Sequence, residues 1–352
     1  MKRRLWLIAV LLLQLLTLSA QQVPSPSRQS IELILQKDSL KILDIGNSYT
    51  DDATALLPLI VSESGTDVRR MCMYKAVRGG ASFKNWVDIY NDQDNNTYSF
   101  KKLLGGISAN VESGSGAAYD GSLMRRVLTD EQWDLIIIHQ YSVHATDYAS
   151  WTGNGAQGYL NEFLDLIKQH QAQAAIGFLL IHSYWGDYLG NLELSSYRRW
   201  QKISEATQRL AENYDVSIVI PYGTAVQNLR QSRLNNDYDL TRDGTHLDLG
   251  LARYAAACCY YQTVFYPRSS ITVMGNPARY DVSGHTSSFP SVSVDDTNAI
   301  FAQRAAILAT MQPYTCISPE SYVEGLCDDI DGDGQLTISD ITFLLDLYLK
   351  SR

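Results

Sequence analysis

A chain of 352 residues, 45% hydrophobic and 19% charged, has a globular composition with room for one large core or two smaller ones. Disorder throughout is excluded. The formal charge is −9, and loss of residues 1–20, with three basic residues and no acidic one, takes it to −12, which argues against a nucleic-acid partner.

Residues 1–20 join a basic start (Lys2, Arg3, Arg4) to an apolar stretch from Leu5 to Leu16 and a small-residue end at Leu18-Ser19-Ala20. That is the pattern of a secretory signal peptide, too short for a stable membrane anchor. No cysteine stands at the expected cleavage point, and no later apolar run approaches the length of a span. The mature chain is therefore expected to be secreted, periplasmic or at the cell surface, with no transmembrane segment. Residues 21–39 open on a Pro/Ser/Gln stretch and are expected to be poorly ordered.

The main domain is expected over residues 40–312, beginning with the strand Leu40 to Ile45. Asp44 interrupts its apolar run, and nothing in the sequence accounts for a carboxylate there. The run ends at Gly46, and Asn47-Ser48 follow, a junction that places a side chain at the carboxyl edge of a sheet. Gly46 is read as permitting a tight turn that exposes the Ser48 hydroxyl, as in a nucleophile elbow. A serine capping the next helix is the alternative. That helix is expected from Ala53 to Glu63, starting late because of Pro58, with Ser48 on the loop before it.

A second strand, Asp67 to Val77, ends in Arg78-Gly79-Gly80-Ala81-Ser82. Paired glycines past a strand end can turn backbone N–H groups toward an oxyanion, although a plain turn has the same composition. Asn91 to Asp120 reads as a hairpin or long loop, followed by a helix from Ser122 to Leu128. Leu135 to His139 is the most apolar strand, and Gln140-Tyr141-Ser142 stands at its carboxyl end. A helix from Gly158 to His170, a strand from Ala174 to Ile181, a helix from Ser195 to Tyr214 and a strand from Val216 to Ile220 continue the alternation. His182, Tyr184 and Trp185 follow the fourth strand, where packing is the favoured role for the histidine. The pattern predicts a parallel sheet covered by helices on both faces.

Tyr222 to Leu240 reads as a long connection ending in Thr241-Arg242-Asp243-Gly244-Thr245-His246, and a helical stretch runs from Leu247 to Phe265. Asp243 and His246 are close enough in sequence for the carboxylate to orient the imidazole of a base. Taken alone, such a pair could simply decorate a helix start. Together with a strand-end serine and a strand-end Gly-Gly, it favours a hydrolytic triad of Ser48, His246 and Asp243. Cys258 and Cys259 are expected in the core and Cys72 buried and unpaired. Cys316 and Cys327 bracket a linker, residues 313–327, and are candidates for one bridge.

These blocks (Gly46-Asn47-Ser48, Gly79-Gly80, a polar amide after the third strand, and Asp243-x-x-His246) resemble those of the SGNH, or GDSL-type, hydrolase superfamily. The strings IVIPYGTAVQNLR and LTRDGTHLDLGLARYAAAC further resemble a secreted bacterial subgroup of largely unassigned function. The resemblance implies a flavodoxin-like three-layer α/β/α fold with a five-stranded parallel sheet. It also implies Ser48 as nucleophile, His246 as base, Asp243 as its support, and an oxyanion hole from the Ser48 and Gly80 amides. Two departures stand out: Asn47 replaces the usual aspartate, and His139-Gln140-Tyr141-Ser142 replaces a Gly-x-Asn-Asp block, leaving Gln140 as the amide donor.

Residues 328–352 carry a second signal. Asp329, Asp331, Asp333, Thr337 and Asp340 stand at positions 1, 3, 5, 9 and 12 of an EF-hand loop, with glycine at 6 and the Gln335 carbonyl at 7. With the amphipathic segment Ile338 to Leu349, this resembles a dockerin repeat, and implies a small C-terminal calcium module with a cohesin-like or cell-surface partner. Calcium is structural in this reading, and catalysis needs no cofactor. The expected activity is hydrolysis of O-acyl groups, acetyl in particular, on carbohydrate or of another small ester. The competing class is a carbohydrate-binding or scaffold-attached protein that keeps the fold without turnover.

Overall fold

Leu40, Ile42, Leu43 and Ile45 are almost wholly shielded from solvent, and the run that they form, Leu40–Gly46 (β1), lies at the centre of a sheet. The computed structural model describes residues 30–93, 98–115, 121–153, 158–185 and 194–322. The expected signal peptide and calcium loop, and Cys327, lie outside these residues. β1 pairs in parallel with β2 (Met71–Val77) on one side and β5 (Leu135–Ile138) on the other. β5 pairs with β6 (Ala175–Leu179), and β6 with β7 (Ile218–Ile220), again in parallel. The order β2-β1-β5-β6-β7 is that of a flavodoxin-like doubly wound sheet, whose ligand crevice lies at the carboxyl ends of the strands.

The expected five-stranded parallel sheet is extended. β3 (Ser99–Leu104) and β4 (Gly114–Ser115) add to the β2 edge in antiparallel fashion, so the sheet is mixed and seven-stranded. This antiparallel β3–β4 pair falls within Asn91 to Asp120, expected as a hairpin or long loop, and Lys101 and Lys102 lie on the part of β3 that β4 does not pair with.

Helices cover the sheet in two packed groups. One contains α2 (Ser48–Thr54), α3 (Leu57–Ser64), α9 (Tyr222–Arg230), α10 (Leu251–Val264) and α12 (Ala299–Met311). The other contains α4 (Phe83–Tyr90), α5 (Gly121–Thr129), α6 (Tyr148–Thr152) and α7 (Leu160–His170), while α8 (Ser196–Asn213) touches α6 and α9. A short α1 (Ile31–Leu35) turns Ile34 and Leu35 inward, so part of the segment expected to lack order is helical. α11 (Tyr266–Ser269) follows α10 directly.

Three differences from the sequence reading have physical causes. The expected helix Ala53 to Glu63 is two helices, because Pro58 fits only the first turn of α3 and α2 must end before it. Ser48 is accordingly the first residue of a helix and not part of a preceding loop. The expected connection after Tyr222 begins with α9, all nine of whose residues are buried. A helix enclosed on every side shows no polar face and leaves no amphipathic period to read.

Asp44 finds its partner here. It is fully buried, and the Tyr260 hydroxyl of α10 donates to its two oxygens at 2.8 and 3.1 Å. Burial pushes the carboxyl up to about 7, against the smaller opposing effects of Tyr260 and the nearby Lys75.

Candidate active site

Ser48 leaves the carboxyl end of β1 and starts α2, but it is not the cap of that helix. Asn47 is the cap: its Oδ1 accepts from the Tyr49 N–H at 2.9 Å. The Ser48 hydroxyl is therefore free for another partner, the His246 imidazole. Ser48 Oγ and His246 Nε2 lie 2.9 Å apart, and His246 Nδ1 and Asp243 Oδ2 lie 2.7 Å apart. Side-chain exposures of 27% for His246 and 35% for Asp243 leave this chain open to solvent.

Asp243 organises its own loop. Its Oδ1 accepts from the Thr245 and His246 backbone N–H groups at 2.9 and 2.8 Å, while Oδ2 takes the imidazole. Desolvation works to raise the Asp243 carboxyl, yet the two amides and the imidazole outweigh it and hold the group below the usual carboxylate range. A carboxylate fixed in this way sets the tautomer, with the proton on Nδ1 and the Nε2 lone pair toward Ser48.

Two buried histidines lie next to this hydrogen-bonded series. His182 Nε2 donates to the Thr245 carbonyl at 2.9 Å, and its ring stacks on Tyr49 at a centroid distance of 4.1 Å. The Tyr49 hydroxyl donates to the same carbonyl at 3.0 Å. Burial, with Arg230 nearby, keeps the His182 pKa well below the ordinary value, so the ring stays neutral. His139 accepts at Nε2 from the Asn47 N–H (3.3 Å), with Thr50 Oγ1 at 3.0 Å, and burial lowers its pKa to about 4. From sequence alone, packing is the expected role of His182, and nothing marks Tyr49. Their role was hidden because it acts through a backbone carbonyl that no motif marks.

Gly46 is needed for a reason other than the expected turn. A Cβ there would lie 2.2 Å from Thr50 Oγ1 and 2.3 Å from His139 Nε2, so the close approach of these side chains excludes any larger residue. Gly80, at φ +66°, does use the left-handed region. The glycine loop is tied to the nucleophile strand by Arg78 N–H to Gly46 O at 3.1 Å and by Asn47 Nδ2 to Ala81 O at 3.0 Å.

Three donors around this edge have no acceptor among the described residues: the Ser48 and Gly80 N–H groups and the Gln140 side-chain amide. Gln140 is 1% exposed and sits at the carboxyl end of β5, the strand beside β1. Its Oε1 accepts from the Tyr141 N–H at 2.8 Å, which turns the unpartnered Nε2 away from that contact. A buried unpaired amide is costly, and a ligand oxygen would relieve it.

Cys72, Cys258 and Cys259 are free and buried, as expected for packing residues. Cys316 is half-buried, with its thiol toward the Gln227 carbonyl at 3.5 Å. Among the described residues no cluster of His, Cys, Asp and Glu is placed to hold a metal ion, and none of the helices is long and apolar enough to cross a membrane.

The fold and this edge define a doubly wound α/β protein with a serine, a histidine and an aspartate hydrogen-bonded in series at the carboxyl ends of its central strands. The chain belongs to the DUF4886 family, a domain of unknown function, whose model matches residues 41–288. It is similar to the crystal structure of a DUF4886 family protein from Bacteroides uniformis, with 26% identity and a TM-score of 0.61 over 80% of this chain and 98% of that one. A protein from Slackia heliotrinireducens, provisionally named an SGNH hydrolase, is more distant: 16% identity and a TM-score of 0.41 over 64% of this chain and 99% of that one. A provisionally named acylhydrolase from Bacteroides fragilis has 12% identity and a TM-score of 0.35, over 62% of this chain and 83% of that one. No curated protein matches the chain.

Proposed function

We propose that the protein is an exported serine esterase that removes O-acyl groups, acetyl above all, from carbohydrate. The observation that carries this reading is the unbroken series Ser48–His246–Asp243 at 2.9 and 2.7 Å. In this mechanism Ser48 Oγ attacks the ester carbonyl while His246 Nε2 takes its proton. The oxyanion forms against the Ser48 and Gly80 amides and Gln140 Nε2. Collapse expels the alcohol, which receives the proton from His246, and leaves an acyl-serine. A water molecule activated by His246 then releases the acid and restores Ser48.

The carbohydrate part of the reading rests on what flanks the base loop. Trp185 and Phe289 pack edge to face at 5.4 Å, and Tyr238 stacks on Phe289 at 4.2 Å. Both backbones join the loop: Trp185 N–H donates to Gly244 O and Phe289 N–H to Arg242 O, each at 2.8 Å. Phe289 also borders a cavity of about 400 Å³ whose other walls include His285, Thr286, Ser287 and Ser288. Partly exposed aromatic faces beside hydroxyl groups suit a sugar ring. Assay of the mature chain on acetylated polysaccharides and short-chain acyl esters, with Ser48→Ala as control, tests the proposal. Saturable acetate release by the wild type alone is expected; glycan binding without turnover would favour the scaffold class.

Export by residues 1–20 and calcium binding by Asp329, Asp331, Asp333, Gln335, Thr337 and Asp340 belong to the same proposal. Four carboxylates crowded into twelve residues repel one another without a cation, so the C-terminal segment should order as calcium binds. Calorimetric titration should show one calcium bound by the wild type and none by an Asp331→Ala/Asp333→Ala variant. Chelation should leave esterase activity intact.

A further inference from the structure

One helical turn beyond Ser48, on the same face of α2, stands a carboxylate with no exposure at all, that of Asp52. Its Oδ1 accepts from Arg242 Nη1 at 2.8 Å and from Arg253 Nε and Nη2 at 3.0 and 2.7 Å. Its Oδ2 accepts from the Leu247 backbone N–H at 2.9 Å. Arg242 immediately precedes Asp243, and Leu247 immediately follows His246. The carboxylate thus grips the base loop at both ends, from the helix that carries the nucleophile. Arg242 closes the loop further, through its N–H to His246 O at 2.9 Å and its guanidinium to Leu247 O at 2.6 Å.

The energetics make this grip rigid. A buried carboxylate is tolerated only when its oxygens are filled, and here four donors from three positions converge on it. A shift of the base loop relative to α2 would break several charge-assisted hydrogen bonds at once. The Ser48–His246 separation has no covalent determinant, since the two residues lie 198 positions apart. We propose that Asp52 is a positioning residue that fixes this separation by clamping both ends of the Arg242–Leu247 loop to the nucleophile helix, with Arg253 of α10 holding the same carboxylate oxygen from a third side. The proposal rests on the esterase reading above, but it predicts a behaviour that the triad alone does not.

In an Asp52→Asn variant an N–H2 group must face either the Leu247 N–H or the guanidiniums, so one end of the loop is released. A misplacement of about 1 Å at reacting atoms costs on the order of 100-fold in rate. The full chain, wild type and Asp52→Asn, is to be compared in thermal unfolding, in kcat and KM on p-nitrophenyl acetate, and in the rate at which a fluorophosphonate phosphonylates Ser48, read by mass spectrometry. The expected result is a folded variant with kcat and phosphonylation rate both lowered about 100-fold and KM nearly unchanged. Arg242→Gln, a milder lesion that keeps the carboxylate, should show the same split at about 10-fold and serves if Asp52→Asn does not fold. A variant that melts earlier but is labelled and turns over at the wild-type rate while folded would overturn the proposal and leave the esterase reading standing. Failure of wild-type Ser48 to react with the fluorophosphonate would overturn both.

Discussion

The two loops that flank Ser48 are held in contrasting ways. The base loop is bound from several directions: Asp243 takes two of its own amides, Thr245 O takes Tyr49 and His182, and Asp52 takes Arg242 and Leu247 N–H. The glycine loop is exposed at Gly79 and Gly80 and meets the nucleophile strand through Arg78 and Asn47. An imidazole must keep its orientation while a proton moves to and from it, whereas an oxyanion donor needs only an N–H kept free of other acceptors. Under the proposed mechanism, the constraint falls where direction matters and the donors are left bare where charge would develop.

The largest losses of activity are expected from changes to Ser48, His246 and Asp243. Ser48→Ala and His246→Ala should each lower kcat by about 10⁴-fold or more without loss of fold, measured by acetate release beside circular dichroism. Asp243→Asn should cost less, because Ser48 and His246 remain, yet still far more than a surface change. Asparagine Oδ1 can still accept from the Thr245 and His246 amides, so the melting temperature is expected to stay close to that of the wild type, while an N–H2 in place of Oδ2 disfavours the Nδ1–H tautomer. Wild-type turnover by Ser48→Ala would remove the mechanism.

The Ser48–His246–Asp243 series was legible in the sequence because Ser48 follows an apolar strand run and Asp243 and His246 stand three residues apart ahead of an apolar helical stretch. The central strands were readable for the same reason, as short apolar runs between turn residues. The supporting parts were not. Asp52 lies in a polar stretch, Thr-Asp-Asp, that looks like a solvated helix face, and only the tertiary fold brings Arg242, Leu247 and Arg253 to it. Asn47 looked like a lost negative charge. In the fold it must both accept from Tyr49 N–H and donate to Ala81 O, which an aspartate cannot do.

That double duty makes Asn47 a probe of how the glycine loop is held. Asn47→Asp should lower kcat about 10-fold, because a carboxylate oxygen would face the Ala81 carbonyl and push the glycine loop away. Gln140→Leu, which removes the unpartnered amide together with the Oε1 acceptor of Tyr141 N–H, should lower kcat by about 100-fold with little net change in stability, because the two losses oppose one another. Reduced turnover at nearly unchanged stability is the signature expected of a donor kept for an oxyanion. Unchanged kcat in the Gln140 variant would leave the hole to the two backbone amides.

The smallest effect on activity, and the clearest on stability, is expected at Asp44, beneath the nucleophile on β1. Its folded pKa of about 7 lies above the ordinary carboxyl value of 3.8, so the native state holds a proton that the unfolded chain releases between these values. Where the native state binds more protons, unfolding free energy falls as pH rises. Asp44 therefore imposes no penalty below about pH 4, a growing one up to pH 7, and a constant one above. A shift of this size corresponds to at most about 4 kcal/mol. Asp44→Asn keeps an acceptor for the Tyr260 hydroxyl and cannot ionise. His139 and His182, whose lowered pKa values make stability rise with pH, act in the opposite direction, but they are present in both proteins and cancel in the difference. The variant should thus be of similar stability to the wild type at pH 4 and progressively more stable toward pH 7, with turnover little changed. Denaturant unfolding of both proteins at several pH values checks this, and a difference that stays constant from pH 4 to 8 would show that Asp44 is ionised in the folded state.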